Sequence, residues 1–373
     1  MTRMDDRLRA VNADERRALR DRCRWVHGPG PRTPGQELAR VAAWCDANQV
    51  SFDAYGEGAL VQDFEAQVAE RLGAEAARFM PSGTMAQQIA LRVWCERAGK
   101  RHFGMHPTSH VELHEQRGYA RLHGLEATLV GPAGSPLLAE HFEGVAEPLA
   151  ALLVELPIRE AGGQLPSWEQ LEALKTSVGE SHTKLHLDGA RLWECAPFYG
   201  RSYEAICAGF DSVYVSFYKG IGALAGAMLL GPRDFIEEAK RWQRRCGGNL
   251  VTLTPSVASA AMQLEERIAG MSRLHARALS MAEALSGVEG VSVLPDPPHT
   301  NMMHVFLRCD AEAAQDARDR FAEARGVWLF GGARPADAPG TCRIELYVGE
   351  AALEVRDEEI VEGFRAVLSA PQA

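Results

Sequence analysis

His186-Leu187-Asp188-Gly189-Ala190-Arg191-Leu192-Trp193, followed by Asp211-Ser212-Val213-Tyr214-Val215-Ser216-Phe217-Tyr218-Lys219-Gly220-Ile221-Gly222, decides how this chain folds. The first stretch runs apolar into Asp188, with Arg191 three residues on; the second runs apolar into Lys219, 31 residues after Asp188. Both residues end apolar strands, so both are expected at the carboxyl edge of one sheet, where open α/β folds bind ligands. An aldehyde cofactor with a basic ring nitrogen needs these two parts: a carboxylate to keep the nitrogen protonated and a lysine to form the imine. Taken singly, Asp188 reads as a strand-end acid paired with Arg191, and Lys219 as a surface lysine in a glycine-rich turn. Taken together, with the small residues Gly220, Gly222, Ala223 and Gly226 leaving room for a ring and a phosphate, they make pyridoxal phosphate the first hypothesis.

Outward from this pair, apolar runs at 149–156, 183–188, 211–217 and 225–230 fit strands separated by helical stretches. Upstream, Phe64, Val68 and Leu72 share a helix face, Ala77–Met80 is strand-like, and Met85–Arg97 is helical again. Such alternation predicts a mainly parallel sheet covered by helices. A long helix is predicted from about Pro255. After it, strands at 291–295, 302–308, 327–330 and 343–348 enclosing a helix at 312–325 predict a smaller α+β lobe. Residues 4–24 are charged and read as helical, the Gly/Pro segment His27–Pro34 excludes regular structure, and 35–47 reads as a helix. The expected organisation is an N-terminal arm over 1–50, a large domain over 51–253 and a small C-terminal domain over 254–373.

Pro81-Ser82-Gly83-Thr84 lies between a strand and a helix, where free backbone N–H groups and hydroxyls suit a phosphate. Ser82 or Thr84 acting only as a helix cap is the plain alternative; beside the Asp–Lys pair, the turn becomes the third leg of a cofactor site. His106, His110 and His114 recur every four residues, but Pro107 interrupts the regularity and no third ligand follows, so no metal is expected. A histidine stacked on a cofactor ring and one exchanging protons with substrate are the better uses. Amino-acid carboxylates are gripped by guanidinium forks, for which Arg191 and Arg343 are the candidates.

The chain has 373 residues, a net charge of -10 and eight cysteines without a CxxC pair. That length favours two lobes. The charge argues against nucleic-acid and polybasic membrane contacts, and no apolar run approaches the ~18–20 residues of a membrane span. The start MTRMDDRLRA is no signal peptide. Scattered thiols are expected to be reduced, which together with these features predicts a cytoplasmic protein.

In combination these residues resemble the threonine aldolase / β-eliminating lyase family of fold-type I pyridoxal-phosphate enzymes. The resemblance rests on Tyr55-Gly56-Glu57, Arg78–Ala86, Ser109-His110 with Glu115-Gln116, His186–Leu192 and Ser216–Gly222, in the family's order across roughly 52–250. It implies a large, mainly parallel seven-stranded sheet with a smaller C-terminal domain. It further implies that Lys219 forms the imine with the cofactor, Asp188 pairs with the ring nitrogen and His110 stacks on the ring. Ser82, Gly83 and Thr84 match the phosphate cradle, with Arg191, Arg343 and Tyr55 around the substrate. Family members are dimers or tetramers with interfacial active sites, and Arg241–Arg245 before Gly247-Gly248 resembles a segment near the neighbouring subunit's cofactor.

The implied reaction is retro-aldol cleavage of a β-hydroxy-α-amino acid to glycine and an aldehyde; the alternatives on this scaffold are β-elimination, racemisation and transamination. A binding-only protein is the remaining class, against which the joint presence of Lys219, Asp188, Arg191 and the phosphate turn argues. Two departures stand out. The family's N-terminal Ser-Asp-Thr stretch is replaced by HGPGPRTPGQEL, and its Glu-Asn-Thr-His by Glu155-Leu156-Pro157-Ile158-Arg159. The latter removes a histidine expected to deprotonate the substrate hydroxyl, leaving His110, His106 or an activated water.

Overall fold

The computed structural model describes residues 13–369. Residues 4–12 of the expected first helix lie outside the described residues; Ala13–Asp21 is helical. In chain order the strands are β1 (Arg24–Trp25), β2 (Ala76–Met80), β3 (His102–Met105), β4 (Glu126–Leu129), β5 (Ala151–Glu155), β6 (Lys184–Gly189), β7 (Ser212–Ser216), β8 (Ala227–Gly231), β9 (Val291–Leu294), β10 (Met302–Leu307), β11 (Val327–Trp328), β12 (Ala333–Pro335) and β13 (Cys342–Tyr347). The chain divides into two compact units: Thr33–Ser272, and the residues up to Arg32 together with those from Arg273 on.

In the first unit seven strands run in the order β2-β8-β7-β6-β5-β3-β4. Only β8 is antiparallel to its neighbours; the other pairings are parallel. Parallel neighbours require crossovers, and the helices that supply them cover the sheet. The helix Gly83–Ala98 shows why the sequence complies. Its Ser82 side chain accepts from Met85 N at 3.2 Å, and Gly99 closes it in the left-handed conformation. Ile89, Ala90, Val93 and Trp94 then pack on Phe103, Met105, Ala151 and Leu153 of the strands. This is the fold-type I arrangement implied above. Because β2, β3, β5, β6 and β7 point the same way, their carboxyl ends share one edge, to which five separate loops deliver side chains.

The second unit holds an antiparallel sheet, β12-β13-β10-β9. Its strands pack with the helices Ala311–Arg325 and Asp357–Leu368 around Val305, Ile344, Phe321 and Phe364. β1 pairs in parallel with β11, Arg24 opposite Val327, and Leu19 and Cys23 pack with Ala322 and Trp328. The start of the described chain therefore shares a core with residues some three hundred positions later. The helix Thr254–Ser286 begins in one unit and ends in the other. Among the described residues no helix is long and apolar enough to cross a membrane.

Candidate active site

Asp188, the penultimate residue of β6, is almost fully buried, with Oδ1 accepting from Ala190 N at 3.1 Å. Burial pushes its carboxyl above the usual range, against which the positive charges of Lys219 and His110 act. Lys219 follows β7 in a turn closed by Gly222 N donating to Lys219 O at 3.0 Å. Its amine is pushed below the ordinary lysine range, first by burial and then by the Arg191 guanidinium. A lysine held nearer neutrality is a better nucleophile toward an aldehyde. Gly220 in this turn has no room for a side chain: a Cβ there would lie 2.4 Å from Glu194 Oε1.

The turn at 81–84 belongs to the same neighbourhood. A Cβ on Gly83 would lie 2.0 Å from the Tyr214 hydroxyl, so the start of the helix Gly83–Ala98 packs directly on Tyr214. Tyr214 is the register partner of Asp188. Ser82 is the helix cap, as its plain alternative foresaw, while Gly83 and Thr84 occupy the first turn with exposed Thr84 at its mouth. First-turn N–H groups have no partner within a helix and attract anions.

His110 begins the short helix His110–Leu113 after β3, with Nδ1 3.0 Å from Glu115 Oε1. The other Glu115 oxygen accepts from Gln88 Nε2 at 3.2 Å, so the buried carboxylate fixes the ring from behind. His106 serves otherwise. Its Nδ1 meets the Thr108 hydroxyl at 2.8 Å, and its Nε2 meets the carbonyls of Pro132 (2.8 Å) and Ser135 (3.0 Å). With both nitrogens engaged and burial holding it below the normal histidine range, His106 braces the loop and has no lone pair for substrate.

Glu155, the final residue of β5, was overlooked in the sequence as a site residue. It lies in register with Asp188, and burial followed by the Asp188 charge pushes it up to about 8. Its Oε1 accepts from Arg159 N at 3.1 Å. The one available signal was that ALLVE ends an apolar run on an acid, as LHLD does.

The remaining expected residues lie elsewhere on the chain. Tyr55 stands on the loop after Asp53, at positive φ (56°) and 54% exposed. Arg343 is on β13 of the second unit, opposite Phe306 and Arg334. In the basic stretch, Arg245 stacks on Trp242 at 4.6 Å, with Arg92 also over that ring at 4.8 Å. Among the described residues no group of three or more His, Cys, Asp or Glu is arranged to hold a metal.

The family model for beta-eliminating lyases matches residues 33–310 of this chain. The chain belongs to the beta-eliminating lyase family. This lyase is 30% identical over 291 residues to the low specificity L-threonine aldolase of Escherichia coli K12, covering 76% of this chain and 84% of that protein. It is 28% identical over 309 residues to low-specificity L-threonine aldolase 1 of Arabidopsis thaliana, covering 78% and 83%. A solved structure from Listeria monocytogenes EGD-E, assigned as an L-allo-threonine aldolase, superposes with a TM-score of 0.89 at 40% identity, over 95% of this chain and 98% of that one.

The lyase uses pyridoxal phosphate, and its donor set fits that cofactor. Arg191 Nε, Ser109 Oγ, Ser216 Oγ and Glu155 Oε2 are buried polar atoms without a hydrogen-bond partner among the described residues. Unpaired buried groups of this kind are costly, and these four lie on the loops and strand ends at the carboxyl edge of the large sheet.

Proposed function

We propose that this lyase cleaves a threonine-like β-hydroxy-α-amino acid to glycine and an aldehyde by retro-aldol chemistry. The observation that carries this reading is the convergence, at one sheet edge, of buried Asp188, a lysine depressed by burial and Arg191, and an Arg191 Nε with no partner among the described residues. The relatives named as threonine aldolases support the choice among amino-acid reactions.

The cofactor, when bound, supplies an electron sink for the pair left at Cα. The protein does the rest. Lys219 would supply the amine that meets the cofactor's aldehyde group. Asp188 keeps the ring nitrogen protonated, and His110, oriented by Glu115, covers the ring. The first-turn N–H groups of Gly83 and Thr84, with the Ser82 and Thr84 hydroxyls, receive the phosphate. Arg191 would receive the substrate carboxylate.

The protein works in this reading as a cytoplasmic homodimer or homotetramer. All eight cysteines are unpaired, which suits a reducing compartment. Phe52 and Val251 are 80% and 67% exposed, and Tyr55 N bonds Val251 O at 3.0 Å, so these apolar residues flank one loop junction. Exposed apolar groups gathered in this way suit an interface between copies.

The test is to supply the purified protein with pyridoxal phosphate and L-threonine or L-allo-threonine, beside Lys219→Ala. Equimolar glycine and acetaldehyde, with a visible absorbance lost in the variant, is the expected result. Ammonia and a keto acid in place of glycine would exclude the aldolase reading.

A further inference from the structure

Retro-aldol cleavage needs a base at the β-hydroxyl, and the departure at 155–159 leaves the position after β5 without a histidine. We infer that His114, fixed by Glu160, is that base. The inference rests on the reaction proposed above and concerns residues that the family resemblance does not assign.

His114 ends the turn that His110 begins, and the two rings lie 5.1 Å apart at 45°. The ring at the cofactor position and a second imidazole are thus neighbours. His114 Nε2 is 2.9 Å from Glu160 Oε1. Glu160 lies in the single turn Arg159–Ala161 that follows β5, and Arg159 N is bonded to Glu155, the acid facing Asp188. The pair is therefore clamped from the ends of β3 and β5, which are adjacent strands. Arg159 Nη1 lies 3.8 Å from the same Glu160 oxygen.

The chemistry of the pair suits the task. A carboxylate accepting Nε2–H fixes the tautomer in which Nδ1 carries the lone pair, and it stabilises the imidazolium formed on protonation. Of the other two histidines, His106 is engaged through both nitrogens, and His110, held by Glu115, is the ring assigned above to cover the cofactor. The His114 side chain is 30% exposed, open enough to meet a substrate.

In the step, the O–H bond breaks and its proton goes to His114 Nδ1. The O–H electron pair becomes the second bond of the aldehyde carbonyl, the Cα–Cβ pair stays on Cα, and a proton returned to Cα gives glycine. Nδ1 then loses its proton to solvent. No oxidant or further reactant is required.

Three measurements on the holoenzyme and its variants test this. First, His114→Asn is expected to lower kcat for aldehyde release about 100-fold or more, within the range for a lost general base, with KM changed by less than about threefold. Second, exchange of the glycine α-proton in deuterated solvent, which needs no base at a hydroxyl, is expected to persist within about threefold in the same variant. Third, Glu160→Gln, which removes the carboxylate that fixes the His114 tautomer, is expected to lower kcat for aldehyde release by about 10-fold or more while glycine α-proton exchange persists within about threefold.

Cleavage by His114→Asn within about twofold of the parent, or parallel loss of cleavage and exchange, overturns the assignment. Unaltered aldehyde release in Glu160→Gln overturns the pairing. A parent enzyme that exchanges glycine protons yet releases no aldehyde from any β-hydroxy amino acid removes the proposed function itself, a result separate from an active His114→Asn.

Discussion

Glu155 and Asp188 face each other in register across β5 and β6, two buried carboxyls at the carboxyl edge of the sheet. Burial pushes both upward, and the Asp188 charge pushes Glu155 further, to about 8. Lys219 acts against the shift on both. Two acids this close titrate as a pair, with the second ionisation held back by the first.

The first prediction follows from that pairing. Glu155 is raised from 4.5 to about 8, so the folded protein holds a proton that the unfolded chain has released. Its stabilising contribution is full below about 4.5, its ordinary value, and is lost as pH rises through about 8. Cofactor-free protein should therefore lose thermal stability over this window, and Glu155→Gln, which mimics the protonated acid, should flatten the dependence. Melting midpoints at intervals between pH 5 and pH 8.5 check it; equal slopes for parent and variant would contradict it.

His186 carries the opposite sign. It is fully buried between Gln87 Oε1 at 2.6 Å and the Ser212 hydroxyl at 2.8 Å, and burial drives it down to about 3. The folded protein keeps it neutral, whereas the unfolded chain takes up a proton below about 6.5. Its contribution is full above that ordinary value and is lost as pH falls toward about 3. In His186→Gln, urea midpoints should fall by the equivalent of about 1–3 kcal/mol at neutral pH, as buried partners lose their match. The variant should also lose less stability than the parent on acidification. A parent ring signal titrating near its ordinary value would refute the placement.

These residues show what sequence alone revealed. Asp188 and Lys219 were legible because each ends an apolar run, and β2, β5, β6, β7 and β8 were legible for the same reason. β3 and β4 were not. β3 has four residues, one of them glycine, and β4 is an edge strand whose residues Glu126–Leu129 are part-exposed. Glu155 was hidden because its meaning lies in register with Asp188, a pairing that no local pattern records. His186 sits inside the deciding motif, yet its partners, Gln87 and Ser212, make it an internal brace. The pairing of Arg24 with Val327 was hidden by its distance along the chain.

Arg191 should prove specific as an arginine. Its Nε–H has no partner among the described residues, and a planar fork can present two donors to a carboxylate where an ammonium presents a point charge. Arg191→Lys is expected to lower kcat/KM for threonine by about 10–100-fold, the scale of a charged hydrogen bond, mainly through KM. Steady-state kinetics on the holoenzyme decide the matter, and a variant with unaltered KM would place the carboxylate elsewhere.

Asp53 should prove to be the residue that holds the Tyr55 loop. Its carboxylate accepts from Gly56 N (2.7 Å), Leu253 N (2.8 Å), Thr254 N (2.8 Å) and the hydroxyls of Thr252 (2.6 Å) and Thr254 (2.7 Å). These bonds hold it down at about 2. Tyr55, at a positive φ that costs a non-glycine residue about 1–3 kcal/mol, persists only while the surroundings impose it. Asp53→Ala strips the acceptor from five donors, so a loss on the order of 3 kcal/mol is expected, together with faster amide exchange at Gly56 and Thr254. The stabilisation is present above the ordinary carboxyl value of 3.8 and is lost as pH falls through about 2, so the gap between parent and variant should be widest near neutrality and close in acid. Denaturant unfolding and amide exchange at both ends of that range measure it. An unchanged midpoint with unchanged exchange would mean that Thr252–Thr254 and the loop at Tyr55 hold their positions without Asp53.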